Sequence, residues 1–471
     1  MLLAGLVVAT GTNPVGAATP GPPNKYYFAE GTTRAGFATI LFLLNSNAAP
    51  LQVHLVFADS TGTRTEADVT VSGQTEVGVV PRNYVGNDKD FAIEAEGSRP
   101  FSAARLMLFS HKFPNAGGVV GTTTMAGITT PLADLDIAEG STLPGFQEYL
   151  TVLGVSTVTG TASGVDVTYG FEGKAGRTVR HGLPPSGRLT IDVNDPAEAG
   201  PGQTGVSVHI HSVDGLPIVA ERPFYFSRDF AGTGRTIGGG HIAPGSLPSR
   251  QMSFAEGNVL PGWYEFLTLF NPSATDQNVS VRYLLEGAPP RTMSYPVGAG
   301  TRRTVQVYNP SEGVGRDASP ALSRGVSLEL TADGSGVVAE RPLYAHSTIG
   351  GILINEGHDA VGIPAPATCA EFAFASTLGV DRAFLVAANP SDEVAALTVR
   401  YFNDTGPVMT KTNFADPQAR TTFDLDVGAS DVYGIRVESS VPLFLELPLY
   451  LDSGPEGTPI YAASVLLPTA C

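Results

Sequence analysis

The feature that most constrains this chain is a fourfold internal repeat. Four opening motifs align without a gap: YFAEGTTRAGFATILFLLNSN from Tyr27, IAEGSTLPGFQEYLTVLG from Ile137, FAEGNVLPGWYEFLTLFNPS from Phe254 and FAFASTLGVDRAFLVAANPS from Phe372. Four closing motifs follow: SAARLMLF from Ser102, VAERPFYF from Val219, VAERPLYA from Val338 and FLELPLYL from Phe444. The alanine of the opening motif recurs at spacings of 109, 117 and 118 residues, as Ala29, Ala138, Ala255 and Ala373. A repeat of this length can bury a core of its own.

We therefore predict four domains, called units one to four below. They span residues 19–132, 133–249, 250–366 and 367–471. Residues 1–18 are predicted to be a signal peptide, because the apolar run MLLAGLVV is followed by the small residues VGAA. This run is too short to cross a bilayer, which needs about 20 apolar residues. We expect an exported protein without a membrane span.

Period-two alternation of apolar and polar residues predicts strands rather than helices. In LQVHLVF, for example, Val53, Leu55 and Phe57 point to one face. The 55 glycines and 36 prolines fall largely in turn clusters between such runs. The predicted fold is all-β, with four tandem Ig-like antiparallel β-sandwich domains of seven or eight short strands each. Short proline-bearing spacers between the units predict an elongated rod.

The charge balance excludes one class of partner. With 28 basic and 45 acidic residues, the net charge is −17. Nucleic acids and anionic bilayers are bound through basic patches, so neither is an expected partner.

Two cysteines are present, Cys369 and Cys471. An even count in an exported chain predicts a disulfide, which would close a loop of 102 residues across unit four. The alternative is two unrelated thiols.

Two charged positions recur at predicted strand ends. The opening motif carries Glu30, Glu139 and Glu256, and the closing motif carries Arg105, Arg222 and Arg341. In unit four both are lost together, to Phe374 and Leu447. Joint loss is typical of a buried pair, because removing one partner leaves an uncompensated charge. We predict a Glu–Arg pair inside each of the first three units, either as a packing salt bridge or as the polar floor of a ligand pocket.

An aromatic position also follows the repeat, with Phe37, Phe146 and Trp263 as its members and Asp381 in unit four. An exposed ring beside polar groups would offer a candidate ligand face, whereas a buried ring would be packing. His209 and His211 lie two apart on a strand, a spacing that can ligate a metal, but solvated histidines explain it equally. We expect no catalytic residues, no metal and no cofactor.

The whole mature chain resembles tandem β-sandwich repeats of secreted bacterial proteins, through IAEGSTLPGFQEYLTVLG and LPIVAERPFYF. The order of signals in each unit is also similar to that of the sensory-rhodopsin transducer sandwich, a family suggested to bind small or sugar-like ligands. The resemblance implies an appendage or a binding module.

The expected function is that of a non-enzymatic, secreted or cell-surface structural and interaction protein, which could assemble into extracellular structures. Its partners would be cell-surface glycans or other copies of itself. The alternative is an array of carbohydrate-binding or small-ligand-binding modules.

Overall fold

The computed structural model describes residues 23–471 apart from 62, 115–116, 185–186, 231, 233, 317–324, 350–351, 427, 429 and 453–459. The predicted signal peptide therefore lies outside the described residues. The fold is nearly all β, which confirms the predicted class. One short helix, α1 (Arg82–Val85), interrupts the strands in the described part of the chain.

Units one and two each contain two antiparallel four-stranded sheets. The strands of unit one are β1 (Lys25–Phe28), β2 (Phe37–Asn45), β3 (Leu51–Asp59), β4 (Arg64–Val71), β5 (Thr75–Val79), β6 (Phe91–Gly97), β7 (Ser102–Lys112) and β8 (Gly118–Ala126). Those of unit two are β9 (Asp134–Ile137), β10 (Phe146–Gly154), β11 (Gly164–Phe171), β12 (Lys174–Gly182), β13 (Arg188–Asp192), β14 (Val206–Ser212), β15 (Ile218–Arg228) and β16 (Ile237–Pro244). The outer sheets run β1-β6-β3-β4 and β9-β14-β11-β12, and the inner sheets run β5-β2-β7-β8 and β13-β10-β15-β16.

Units three and four keep this plan with two variations. The strands of unit three are β17 (Gln251–Phe254), β18 (Trp263–Phe270), β19 (Gln277–Leu285), β20 (Arg291–Val297), β21 (Arg302–Gln306), β22 (Val326–Ala332), β23 (Val338–Glu340), β24 (Leu343–Ile349) and β25 (Ile352–His358). Those of unit four are β26 (Ala367–Ser376), β27 (Arg382–Asn389), β28 (Ala395–Asn403), β29 (Gly406–Ala415), β30 (Ala419–Asp424), β31 (Val432–Asp452), β32 (Ile460–Leu466) and β33 (Thr469–Ala470). In unit three the seventh strand is split into β23 and β24. In unit four the sixth and seventh strands are fused into β31, which pairs with β26 and β28 first and with β27 and β32 afterwards.

Each unit has its own apolar core between its two sheets. In β3, for example, Leu51, Val53 and Leu55 are buried while Gln52 and His54 between them are exposed. Period-two alternation thus produces the sandwich that the sequence predicts.

The units do not form the predicted rod. The strand that follows the closing-motif strand in each unit, namely β8, β16, β25 and β32, packs against its counterparts at the centre of the molecule. Strands β25 and β32 even pair in parallel, with Leu353 opposite Ile460. Unit four then reaches unit one, where the amide of Thr124 donates to the Ser464 hydroxyl over 2.8 Å. The four units therefore close into a ring.

A single carboxylate lies at the centre of this ring. The side chain of Glu356 on β25 is 1% exposed, and its Oε1 accepts a hydrogen bond of 2.7 Å from the amide of Gly240. It lies against Gly121 and Gly239, where an added Cβ would come within 2.1 Å and 1.3 Å of its carboxylate oxygens. A side chain at either position would displace the Glu356 carboxylate.

The rod expectation is wrong because proline spacers fix how far apart neighbouring units are but not the angle between them. The fourth unit contacts the first. The rings of Phe42 and Phe374 stack there at 4.4 Å, and Ser102 donates to Glu371 over 2.5 Å.

Small-angle scattering of residues 19–471 separates the two shapes. A compact chain of this length has a radius of gyration of about 22 Å, and four units placed end to end would have roughly twice that. We expect the compact value with a single maximum in the distance distribution. A distribution with several maxima at the unit repeat would instead indicate a rod.

Candidate functional site

The interfaces between units are built on one property of a β-strand. Adjacent side chains on a strand point to opposite faces. In the closing motif Glu221 and Arg222 are adjacent on β15, so they leave the strand on opposite sides. Glu221 reaches back to unit one, and Arg222 reaches forward to unit three.

The backward contact is the same at three successive interfaces. The closing-motif glutamate accepts a hydrogen bond from the amide of the opening-motif alanine in the preceding unit. The pairs are Ala29 with Glu221 at 2.6 Å, Ala138 with Glu340 at 2.7 Å and Ala255 with Glu446 at 2.9 Å. The other carboxylate oxygen meets the closing-motif arginine of that preceding unit, in the pairs Arg105 with Glu221 at 2.7 Å, Arg222 with Glu340 at 3.1 Å and Arg341 with Glu446 at 3.0 Å. All six of these side chains are fully buried or nearly so.

A second arginine, on the fifth strand of each later unit, completes the interface. Arg188 contacts Glu30 of unit one at 3.1 Å, and Arg302 contacts Glu139 of unit two at 2.7 Å. Arg420 donates to the carbonyl of Ala255 at 3.3 Å and pairs with Glu286 at 2.9 Å. The sequence comparison did not identify this recurring arginine, because it aligned only the opening and closing motifs.

The structure therefore corrects the predicted pairing inside units one and two and confirms it in unit three. In unit one Arg105 donates to the backbone carbonyl of Glu30 at 2.5 Å, while its carboxylate partner is in unit two. Glu139 and Arg222 likewise pair with residues of unit three, and Arg222 also meets Asp359 there at 2.7 Å. In unit three Glu256 does lie 3.2 Å from Arg341, which it shares with Glu446.

The joint loss of Glu and Arg in unit four has a different cause from the one inferred. Unit four meets unit one, and Phe374 and Leu447 stand there in place of the forward groups. On the side of unit one, Ala104 and Glu76 stand where the later units carry the backward Glu and the fifth-strand Arg. The interface between units four and one is accordingly an apolar cluster that includes Phe42, Leu44, Ala104, Phe374 and Leu447.

Carboxylates exceed arginines inside the ionic interfaces, so some of them hold protons at neutral pH. Burial raises the pKa of Glu148 to about 8, despite the nearby charge of Arg222. Burial likewise raises the pKa of Glu265 to about 8, against the opposing effect of Arg341. Glu256 behaves differently, because the charges of His358, 3.1 Å away, and Arg341 outweigh its burial and lower its pKa to about 2.

An open cleft lies between units one and two. It has a volume of about 720 Å³. Its aromatic lining consists of Phe37 and His111 from unit one and Tyr149 and Tyr225 from unit two. The imidazole of His111 stacks on the Tyr225 ring with centroids 4.0 Å apart. We call this space the first cleft.

Polar groups surround the aromatic wall of the first cleft. The Glu30–Arg188 ion pair lies at its floor, and Arg34 pairs with Asp90 at its rim. Lys112, also at the rim, is exposed. His111 is 9% exposed, and its Nε2 has no hydrogen-bond partner among the described residues. Burial lowers the pKa of His111 to about 4, so the ring is neutral at physiological pH.

The three aromatic residues predicted as a ligand face have different environments. Phe37 is half-buried and lines the first cleft. Phe146 stacks on Phe224 at 5.2 Å, with Arg228 over its other side at 5.7 Å. Trp263 is 1% exposed in an apolar cluster with Leu343, so it offers no face to a ligand. Of the two alternatives for this position, Trp263 therefore fits packing.

Between units two and three the corresponding space is occupied by the protein itself. Phe230 stacks on Tyr344, the counterpart of Tyr225, at 4.2 Å and approaches Phe266, the counterpart of Tyr149, at 6.1 Å. The guanidinium of Arg316 lies over the rings of Tyr264 and Tyr308, 4.8 Å and 4.7 Å from their centroids. The space that corresponds to the first cleft is therefore filled between units two and three.

The remaining sequence candidates are placed as follows. Cys369 and Cys471 form a disulfide that ties the last residue to β26. His211 contacts Asp134 at 2.7 Å and His209 contacts Asp136 at 2.9 Å, so both lie in acidic pairs on the outer sheet of unit two. Within the described residues no cluster of three or more His, Cys, Asp or Glu could hold a metal ion. No helix in the described residues is long and apolar enough to cross a membrane.

The apolar interface between units four and one suggests a double-mutant test of the ionic interfaces. Arg105→Leu leaves the buried Glu221 carboxylate uncompensated and should destabilise the protein by about 3–5 kcal/mol. Adding Glu221→Ala gives this interface a Leu and an Ala, the residues that stand at the equivalent positions between units four and one as Leu447 and Ala104. The double variant should recover most of the lost stability. Denaturant unfolding measures both variants.

The control for this test is Arg180→Leu, which removes an exposed pair with Asp166 and should cost no more than about 1 kcal/mol. If the double variant is as unstable as the sum of the two single variants, the two side chains are not coupled across the interface.

The raised pKa of Glu148 predicts a pH dependence. Because its folded pKa of about 8 exceeds the unfolded value of 4.5, its stabilising contribution is complete below pH 4.5 and is lost as pH rises through 8. Glu148→Gln should therefore raise the thermal midpoint at pH 9 and flatten its fall between pH 5 and pH 9. Glu256→Gln is the matched control, since a carboxylate with a pKa of about 2 stays charged over this range and its loss should lower the midpoint at every pH.

Comparison with known proteins gives no family for the chain: no family model matches it, and no curated protein matches it. A crystal structure of the Thermotoga maritima protein 1070 is 15% identical, with 24% of this chain and 97% of that chain covered and a TM-score of 0.21. The Anabaena sensory rhodopsin transducer is 16% identical over 20% of this chain and 95% of its own, with a TM-score of 0.17. A tetra-tandem repeat from the extending region of a large adhesion protein is 11% identical over 94% of this chain and 98% of its own, with a TM-score of 0.11. We draw no function from these similarities.

Proposed function

We propose that the protein is a non-enzymatic interaction protein that acts outside the cytoplasm, as a rigid ring of four β-sandwich units. The observation that carries this proposal is the use of its buried charged groups. At the three ionic interfaces the closing-motif carboxylates are held by an arginine of the neighbouring unit and by a backbone amide. Groups held in this way position the units relative to one another.

The same geometry argues against hydrolysis by a pair of carboxylates. A general acid must lie beside open space to reach a substrate. Glu148 and Glu265 have raised pKa values, but each is fully buried and is held by an amide, from Ser141 at 3.1 Å and from Asn258 at 2.6 Å. Their protons stabilise the ring rather than reaching a substrate.

The location outside the cytoplasm is supported by the predicted signal peptide and by the disulfide. Disulfides persist in oxidising compartments. The bond between Cys369 and Cys471 also holds β33 beside β26, the strand through which unit four contacts unit one. An oxidising environment therefore favours the closed ring.

A second candidate, binding of a carbohydrate or another small ligand, is favoured by the first cleft. Aromatic planes beside polar groups are typical of small-ligand pockets. The ring does not have the four equivalent binding modules expected from the sequence. Between units two and three the corresponding space is filled, because Phe230 stacks on Tyr344 and Arg316 lies over Tyr264.

The proposed function is tested on cells that express the full chain with its own N-terminus. We expect the protein in the medium or on the surface, where protease added to intact cells degrades it, and as an oxidised monomer in non-reducing mass analysis. Beads coated with the purified protein should bind surfaces of the producing cells or their neighbours, whereas beads coated with the Arg222→Ala variant, whose ring is destabilised, should bind less. Retention in the cytoplasm with reduced cysteines would overturn the proposal.

A further inference from the structure

The interface between units four and one is held together differently from the other three. Units one to four follow one another in the chain, so each of the three ionic interfaces joins units that are also linked covalently. Units four and one have no such link, because the one disulfide joins two residues of unit four. Their contacts are the apolar cluster around Phe42 and Phe374 and hydrogen bonds such as that from Ser102 to Glu371. The ring can therefore open here while every unit stays folded and attached.

A buried carboxyl group lies in this interface. Glu76 on β5 is opposite Leu44 on β2, and the side chains of opposite residues project from the same face of a sheet. That face is turned toward unit four, because Leu44 belongs to the apolar cluster shared by the two units. Glu76 is 3% exposed, and its Oε1 has no hydrogen-bond partner among the described residues. It is therefore a polar group enclosed beside an apolar cluster.

Comparison with the other units shows what Glu76 lacks. An arginine occupies the equivalent position of the fifth strand in the later units, as Arg188, Arg302 and Arg420. Each of these arginines meets an oxygen of the preceding unit. At the fourth interface the residue has the opposite charge, and the charged groups of unit four that act on Glu76 are the carboxylates of Asp404 and Asp431. An ionised Glu76 would thus be buried without an opposite charge, which is costly.

The strands packed against β5 bring no cation to Glu76 among the described residues. These strands are β2, β4, β28, β29 and β31, of which β2 has no charged residue. Charged side chains on the others pair elsewhere: Arg64 with Glu94, Glu66 and Asp68 with His54, Arg400 with Glu438, Lys411 with the carbonyl of Asp426, Arg436 with Glu371 and Glu446 with Arg341. Burial, reinforced by the carboxylates of Asp404 and Asp431, raises the pKa of Glu76 to about 8. At neutral pH the group is therefore protonated, in a form that the apolar contact tolerates.

We propose that the interface between units four and one is a pH-sensitive gate, at which the ring opens when Glu76 becomes charged. The closed gate accommodates the neutral carboxyl group, whereas the open gate lets water solvate the carboxylate and separates it from Asp404 and Asp431. Because the folded pKa of about 8 exceeds the value of 4.5 for a solvated glutamate, the contribution of Glu76 to closure is complete below pH 4.5 and is lost as pH rises through 8. This inference goes beyond the proposed interaction function, which does not require the ring to open.

The open form differs from the closed ring in its surface as well as its shape. Opening exposes Phe42, Leu44 and Leu106 on unit one and Phe374 and Leu447 on unit four. These side chains are buried against one another while the gate is closed. The protonation of Glu76 thus controls access to an apolar surface.

Thiol labelling of the full mature chain tests the gate. The Ala104→Cys variant places a thiol in the closed interface, and the Ala220→Cys variant places one in the core of unit two. Labelling rates at pH 5 and pH 9 are divided by those of a free cysteine peptide at the same pH, so that ionisation of the thiol itself cancels. We expect the corrected rate to rise at least about tenfold more for Ala104→Cys than for Ala220→Cys over this interval. An equal rise would mean that global unfolding exposes both thiols, and it would overturn the proposal.

Substitutions in the Ala104→Cys background identify the group responsible. Glu76→Gln keeps the shape and removes the charge, so it should abolish the excess rise, and persistence of the rise would overturn the role of Glu76. Asp404→Asn removes an exposed carboxylate that repels Glu76 and should reduce the excess rise. It serves if Glu76→Gln fails to fold, and an unchanged rise in this variant would then overturn the proposal.

The matched control is Glu148→Gln. It removes a buried carboxyl group with the same pKa of about 8 from unit two, away from the gate, and should leave the excess rise unchanged. Loss of the excess rise in this control would overturn the assignment of the opening to the interface between units four and one.

Discussion

The ring depends on the opposite orientation of neighbouring side chains along a strand. Because Glu221 and Arg222 leave β15 on opposite faces, a two-residue sequence links unit two to both of its neighbours. Unit three repeats the dipeptide as Glu340 and Arg341, which link it in the same way to units two and four. The price in desolvation is offset where each buried charge meets both an opposite charge and a backbone group, as Glu221 does with Arg105 and the amide of Ala29.

Ionic contacts of this kind could add units indefinitely unless two of the units lacked the charged groups that form them. Unit one carries Ala104 where the backward glutamate would be, and unit four carries Leu447 where the forward arginine would be. The two modified faces fit one another as an apolar contact, in which Phe42 stacks on Phe374. An ionic face placed against either of them would leave a buried charge without a partner, which disfavours addition of further units of the ionic type.

The sequence was sufficient to predict the repeat, the all-β class and the strands within each unit, since these follow from alternation and turn residues inside a unit. It was not sufficient to predict which unit each charged group contacts. The joint loss of Glu and Arg in unit four is compatible with a pair inside one unit or across two. The deciding signal was the complementary loss in unit one, where Ala104 and Glu76 replace the other half of the contact.

The cleft was harder to predict, because it depends on which interfaces are filled. Phe37 and Phe146 occupy the same repeat position, but Phe146 lies beside Phe230, whereas Phe37 lines the first cleft and packs against a cluster that includes Phe113 and Tyr225. Strand alternation places both rings at an interface and says nothing of neighbouring loops. The burial of Trp263 likewise depends on contacts with β24 and unit four that the opening motif does not encode.

The central Glu356 shows what a single polypeptide gains over an assembly of identical subunits. A symmetric tetramer would place the same side chain at the axis four times, and the space beside Gly121 and Gly239 does not admit even one added methyl group. Joining the four units covalently breaks that symmetry. The axis can then hold one carboxylate against two glycines, and each interface is free to diverge from the others while the ring keeps its shape.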